Sequence, residues 1–414
     1  MGQESDDDPV SVQAAGRPLH HVIFASAMAV RRGERVFLPS HWEGNFRAYG
    51  ELVPGTVVVL PEDRNLSPEV AVPLDERLRP ILLPGFTTRS LLRRTLAYVR
   101  GRRVIRDLVR RAEFVQIQHI STFGFIAGAA AVQYRKTLYL DMGATLHEPP
   151  GAPRNDRPWH ADVARVYYQR LERKIARHAK LFIAVSAHLH GTIPDARAPR
   201  VVVSHSMIEK ECIFERDNAC AGESLNVFVA TRMVQSKGIQ HLLGALRLLG
   251  GEGLDVRAQI AGVGDYLEDL KQRTSELGLD DKVRFLGGIP GGGEELWSHF
   301  RRADMAVLPS LGHYEGTPRM ILESWAAGAP VVATTVGGIP TLVRDEEDGL
   351  LVPPGNEPAL ARAMRRVYED ADLRRRLVAN GYRRVASMTY EGRLPILKAA
   401  FQQHLPGLLP EGSS

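Results

Sequence analysis

Cysteine is almost missing from this 414-residue chain, which holds only Cys212 and Cys220. Two thiols cannot frame a disulfide scaffold, and no Cys-x-x-Cys pair offers a zinc site. A reducing compartment, the cytoplasm, is the expectation. Lysine is scarce too, with 8 residues against 45 arginines. Two stretches, 114–134 and 324–343, lack Asp, Glu, Lys and Arg. The first contains Gln116, Gln118, His119 and Gln133, and the second contains prolines and glycines, so neither reads as a transmembrane helix. The first eight residues include four acids, which does not fit a signal peptide.

What is present is ordinary globular material, 44% hydrophobic, too apolar for a disordered chain. The formal net charge of +5 hides an asymmetry. Residues 1–200 carry 29 basic and 20 acidic side chains, and residues 201–414 carry 24 and 28. Two domains with different partners are expected from that split.

Short apolar runs alternate with helical patterns. Strands are predicted at 35–39, 56–61, 114–118, 137–141, 181–186 and 200–204. A helix, or a pair broken near Gly101, is predicted over 90–112, with further helices over 123–134 and 160–179. After a polar stretch, a second series begins: strands at 226–230, 256–261, 283–285, 305–309, 331–334 and 349–352, with helices between and after them. Near-continuous apolar strands alternating with helices predict buried parallel sheets, two in tandem.

The segment Glu315-Gly316-Thr317-Pro318-Arg319-Met320-Ile321-Leu322-Glu323 is the most informative. Thr317 is expected to cap a helix that Pro318 opens. That arrangement sets free backbone N–H groups and two carboxylates at the C-terminal edge of a sheet, where open α/β sheets bind ligands. Helix N–H groups can take phosphate oxygens, and a carboxylate can accept sugar or ribose hydroxyls.

This segment, followed by Ala326-Ala327-Gly328-Ala329-Pro330 and Gly337-Gly338-Ile339-Pro340, resembles the retaining glycosyltransferases of family 4. The runs Ala303–Ser310 and Asp348–Gly355 resemble them as well. The resemblance is strong over 224–360, fair over 160–206 and weak before Phe114. It implies the α/β GT-B fold, two doubly wound Rossmann-like domains facing a central cleft. It also implies this organisation: a flexible tail (1–18), an acceptor-binding domain (19–206), a linker (207–224), a nucleotide-sugar-binding domain (225–386) and a C-terminal helix (387–414) crossing back to the first domain.

The resemblance extends to residue roles. Arg232 and Lys237, after strand 226–230, match the Arg and Lys that bind the donor diphosphate. Two cations there stabilise the charge that develops as the glycosidic bond breaks; the other reading is a solvated basic turn. Glu315 matches a contact to the donor sugar, or is an exposed loop carboxylate. Glu323 matches the ribose ligand, or only pairs with Arg319 at i,i+4. Gly316, Thr317 and Pro318 match the donor-binding helix start. Gly262, in Gly262-Val263-Gly264, is a tight turn or a donor contact. His119, after strand 114–118, matches the active-site His, or is a core histidine. Asp141 and the loop bearing His147 and Glu148 are candidates on the acceptor side. Family members often open with a Gly-Gly loop. Here the candidate loop is Ser40-His41-Trp42-Glu43-Gly44-Asn45-Phe46, with Gly44 as the stand-in.

By this resemblance the chain moves a hexosyl unit from a UDP- or GDP-linked sugar to a hydroxyl acceptor, with retention and without a metal or other cofactor. The acceptor is a glycan, a lipid-linked species or a natural product. Two further readings remain: a nucleotide-sugar epimerase of similar fold, and a non-catalytic sugar-nucleotide binder. Residues 89–111 carry nine arginines and form either a surface for anionic membrane at the inner face or a solvated helix. No nucleic-acid motif accompanies the basic charge.

Overall fold

The computed structural model describes residues 17–39, 42–63, 66, 71–84, 91–118, 121–142, 159–187, 189, 197–203, 208–216, 219–220, 222, 224–312 and 315–410, without the side chains of 91–98, 159–165 and 167–168. The chain divides into two units. The first comprises Met1–Ala184, His190–His205 and Ile396–Ser414, and the second Val185–Leu189 and Ser206–Pro395.

The first unit is built on a seven-stranded parallel sheet. Its strands are β1 (Leu19–Ala25), β4 (Val57–Glu62), β6 (Arg79–Pro84), β7 (Ala112–Gln118), β8 (Thr137–Met142), β9 (Leu181–Ala184) and β10 (Arg200–Val202), in the order β10-β9-β8-β7-β1-β4-β6. Alternation along each strand separates two faces. Val22 and Phe24 of β1, Val115 and Ile117 of β7, and Leu138 and Leu140 of β8 pack with Ile105 and Phe123 in one apolar core. A small antiparallel sheet of β2 (Val30–Arg32), β3 (Arg35–Pro39) and β5 (Ala71–Pro73) accompanies it.

Three expectations change here. Strand β1 lies inside the sheet, between β7 and β4, yet its start, Leu19-His20-His21, breaks the apolar run that marks its neighbours. The segment around Gly44 is no loop: helix Glu43–Leu52 starts there and buries Gly44 and Phe46. The basic segment is one helix, Leu91–Arg111, continuous through Gly101. A single helical glycine costs only about 1 kcal/mol, and this one is buried within reach of Phe123.

The second unit has six parallel strands: β11 (Leu225–Ala230), β12 (Val256–Ala261), β13 (Val283–Gly287), β14 (Met305–Leu308), β15 (Val331–Thr334) and β16 (Leu350–Val352). Their order is β13-β12-β11-β14-β15-β16. Every residue of β14 and β15 is buried, as the unbroken apolar runs require. Both units therefore have the Rossmann-like, doubly wound arrangement.

The stretch expected to be a linker packs onto this unit. Ile208 joins its core, and Phe214 N–H donates to the Ala326 carbonyl at 2.7 Å. The Arg216 guanidinium donates to the carbonyls of Arg301 (2.8 Å), Ala303 (2.6 Å) and Gly328 (3.0 Å). These carbonyls lie at and just past the ends of helices Glu294–Arg302 and Arg319–Ala326. Helix ends need such donors; sequence pattern does not show which side chain supplies them.

Candidate active site

In the second unit the strand order reverses between β11 and β14, and the loops that leave these two strands carry the candidate residues. After β11 the chain runs through Arg232 to a 3-10 turn, Gln235–Lys237, and then to helix Ile239–Gly251. Gly238 takes φ +70°, and a Cβ on it would overlap the Pro309 carbonyl. That close approach seats the β11 loop against the β14 loop, where Leu311 N–H donates to the Ser236 carbonyl at 2.8 Å.

Lys237 and Glu315 meet there as an ion pair. Glu315 is 7% exposed. Its Oε1 also accepts from Ser310 Oγ at 2.6 Å. Its carbonyl takes the Gly338 N–H from the loop after β15 at 2.6 Å. Arg232, by contrast, is exposed and makes no ion pair among the described residues. The loop therefore offers one cation already engaged by a carboxylate and one open to a ligand.

Gly262 takes φ +140°, and its Cβ would overlap the Thr231 carbonyl. Its neighbours extend the β11–β12 pairing past the strand ends, through Thr231 N–H to Ala261 O and Met233 N–H to Val263 O, each 2.9 Å. This close packing accounts for the glycine without a ligand.

Helix Arg319–Ala326 follows Pro318, which stands at the N-cap position with no side-chain cap. The expected Thr317 cap does not form. Thr317 Oγ1 donates instead to the Val185 carbonyl at 2.6 Å, pinning the Gly316–Pro318 turn. The helix start keeps its first N–H groups free of a side-chain cap, as an anion site requires. Glu323 is 6% exposed and accepts from Arg319 Nη2 at 3.0 Å. Burial pushes its carboxyl pKa up, and the Arg319 charge and hydrogen bond oppose that rise.

His119, His147 and Glu148 lie outside the described residues. Asp141 is buried, accepting from the Tyr49 hydroxyl at 2.7 Å. One residue that sequence reading missed is Gln118, the last of β7. It is fully buried, and neither its amide oxygen nor its nitrogen has a hydrogen-bond partner among the described residues. It stands beside β1, where the first sheet's strand order reverses. The visible signal was Phe-Val-Gln-Ile-Gln, which sets two amides on one face of an apolar strand. A depression of about 580 Å³ in the second unit, lined in part by Phe228, Arg257, Gln259, Arg284 and His299, lies along the first halves of β11–β13. That is the wrong end of the sheet for a ligand of this fold. Among the described residues no group of His, Cys, Asp or Glu is placed to hold a metal, and no helix is long and apolar enough to cross a membrane.

Residues 214–384 match the family of glycosyl transferases group 1. This part of the chain belongs to that family. The chain is 32% identical over 173 residues to an uncharacterized glycosyltransferase of Methanocaldococcus jannaschii, covering 42% of this chain and 43% of that one. It is 28% identical over 197 residues to the putative colanic acid biosynthesis glycosyltransferase WcaL of Escherichia coli, covering 46% and 48%. The chain thus spans less than half the length of these curated relatives. Over nearly its whole length it is similar in fold to Anabaena HepE in complex with UDP: TM-score 0.69, 16% identity, 92% of this chain and 100% of that one. It is also similar to sucrose-phosphate synthase from Thermosynechococcus elongatus, with TM-score 0.65, 18% identity and coverage of 94% and 98%. At such identities the likeness establishes the GT-B fold alone.

Proposed function

We propose that the protein is a retaining glycosyltransferase that moves a hexosyl unit from a nucleotide-diphosphate sugar, UDP- or GDP-linked, to a hydroxyl acceptor. The observation that carries this reading is the meeting of Lys237 and Glu315 at the strand-order reversal of the group 1 region. In this reading Arg232 and Lys237 take the diphosphate, helped by the uncapped start of helix Arg319–Ala326 at Gly316–Pro318. Glu323 takes the ribose hydroxyls, Glu315 the sugar. His119 hydrogen-bonds the donor sugar or the transferring hydroxyl, and the first unit takes the acceptor. The acceptor oxygen bonds to the anomeric carbon on the face from which the diphosphate departs. The bond to the phosphate oxygen breaks, and the acceptor's proton passes to the leaving phosphate. The cations stabilise charge that grows on that phosphate in the transition state.

The test is a panel of UDP-, GDP- and dTDP-sugars, scored for nucleotide release with and without acceptors, and NMR of the product's anomeric configuration. Release into a product of the donor's configuration is expected. No binding of any sugar nucleotide by calorimetry overturns the reading. Epimerised donor without acceptor favours the isomerase alternative. The reading calls for no metal, so turnover that falls in EDTA and returns with Mg²⁺ overturns that part.

We also assign the protein to the cytoplasm, with helix Leu91–Arg111 against anionic membrane. Arg100, Arg102 and Arg103 are exposed there, as is Val99 at 42%. Co-flotation with phosphatidylglycerol vesicles is expected to exceed that with neutral ones and to fall with salt; equal recovery with both overturns the contact.

A further inference from the structure

We infer that Ser310 is a positioning residue: it keeps Glu315 in place for the donor sugar when Lys237 turns from Glu315 to the diphosphate. The inference rests on the reading above and adds to it a role for Ser310, the last residue of the run Ala303–Ser310, to which the sequence reading gave none.

Ser310 stands two residues beyond the end of β14. It is fully buried. Its Oγ donates at 2.6 Å to Glu315 Oε1, the same oxygen that Lys237 Nζ engages. Oε2 of Glu315 has no partner among the described residues. It is the atom left open to a ligand hydroxyl. The two donors on Oε1 differ in kind. Lys237 reaches it through a long flexible side chain that is one-fifth exposed, and a compact cation of that sort redirects easily. Ser310 has one side-chain torsion, and its backbone is fixed from the other side. Thr334 Oγ1, on the last residue of β15, donates to the Ser310 carbonyl at 2.6 Å, and Thr334 is itself buried. The hydroxyl therefore stays where it is while the ammonium moves.

A diphosphate carries more charge than one carboxylate and draws Lys237 toward it. Glu315 then loses its cation and faces a new anion. The Ser310 hydrogen bond is what remains to resist rotation of the carboxylate away from the phosphate. Its effect belongs to the sugar and to turnover, and not to the nucleotide.

The test compares Ser310→Ala and Ser310→Cys with the wild type. Cysteine fills nearly the same volume but is a weak donor, so a packing role is satisfied by it and a hydrogen-bonding role is not. Calorimetry with UDP, turnover of UDP-glucose and thermal unfolding are measured, with GDP and GDP-mannose as the parallel pair. Both variants are expected to bind the nucleoside diphosphate within twofold of wild type and to lose tenfold or more in kcat. The inference is overturned by a Cys variant with kcat within twofold of wild type, or by nucleotide affinity that falls in step with kcat. A wild-type protein that binds neither UDP nor GDP fails at the earlier step, and the role of Ser310 falls with it. Active wild type with an equally active Ser310→Ala refutes this role alone.

Discussion

In the first unit the polar side chains lie on the strands, beneath the surface. The Tyr139 hydroxyl is 2.8 Å from both His21 Nε2 and Gln116 Oε1. Gln116 Nε2 and the Tyr49 hydroxyl both reach Asp141. Phe401 packs against the rings of Tyr49 and Tyr139. In the second unit the polar cluster of Lys237, Ser310 and Glu315 lies on loops beyond the strand ends, and the strands beneath are apolar. The first arrangement spends its hydrogen bonds inside the sheet layer and fixes the fold. The second leaves the Arg232 side chain and one Glu315 oxygen without a partner among the described residues, which is what a ligand site needs. Two sheets of one kind thus place their polar groups for opposite ends.

The sharpest break of this contrast is at the cations. Arg232→Ala is expected to lower turnover about 100-fold or more, as loss of a charge-stabilising donor does, with the unfolding temperature unchanged. Lys237→Ala should lower turnover similarly and also destabilise the second unit, because it strands a buried carboxylate. Equal stability of the two variants would erase the distinction between the open and the engaged cation. Next is Gly262→Ala, expected to cost the second unit about 3 kcal/mol through backbone overlap and strain, read by urea unfolding followed by proteolysis of each unit. Protection of the first unit should not change.

Tyr139→Phe inverts that outcome. It leaves His21 and Gln116 short of a partner and is expected to cost the first unit about 2 kcal/mol, with nucleotide binding intact. The smallest effect is in pH. Burial, with a lesser contribution from His20, lowers the His21 pKa from 6.5 to about 3. Between those values the unfolded chain holds a proton that the native state does not. Stability therefore falls as pH drops below about 6.5, by at most ~1.4 kcal/mol per unit. Urea midpoints of the first unit at pH 6.5 and 5.5 check this, and His21→Gln should flatten the slope. An unchanged slope refutes the assignment.

The second unit was readable because β14 and β15 are buried, largely apolar runs closed by Pro309 and by Gly337 and Gly338, and β11 and β12 are apolar with single polar interruptions. Glu315, Glu323, Arg232 and Lys237 were visible as spaced charges after such runs. Their pairings were not. Nothing in Lys237 and Glu315, 78 residues apart, announces contact, since strand order decides it. In the first unit β1 hides behind the exposed His20 and the buried His21, and the burial of His21 follows from partners on other elements, Thr56 and Tyr139. The short strand β6 is bracketed by Pro80 and Pro84, residues that speak against a strand. Thr317 looked like a cap from its neighbours, and a carbonyl 132 residues away claimed it.

The Arg216 strap bears on how this protein is taken apart. A fragment cut where the first strand of the second unit begins, at Leu225, would leave out Ile208 and Arg216. It would expose a core residue and three helix-end carbonyls to water. It would also lose the bond from Tyr390 N–H to the Ile208 carbonyl (2.8 Å) and that from Lys210 N–H to Glu391 (2.9 Å). An excised half suited to crystallisation or ligand screening therefore starts no later than Ile208 and runs at least through Glu391.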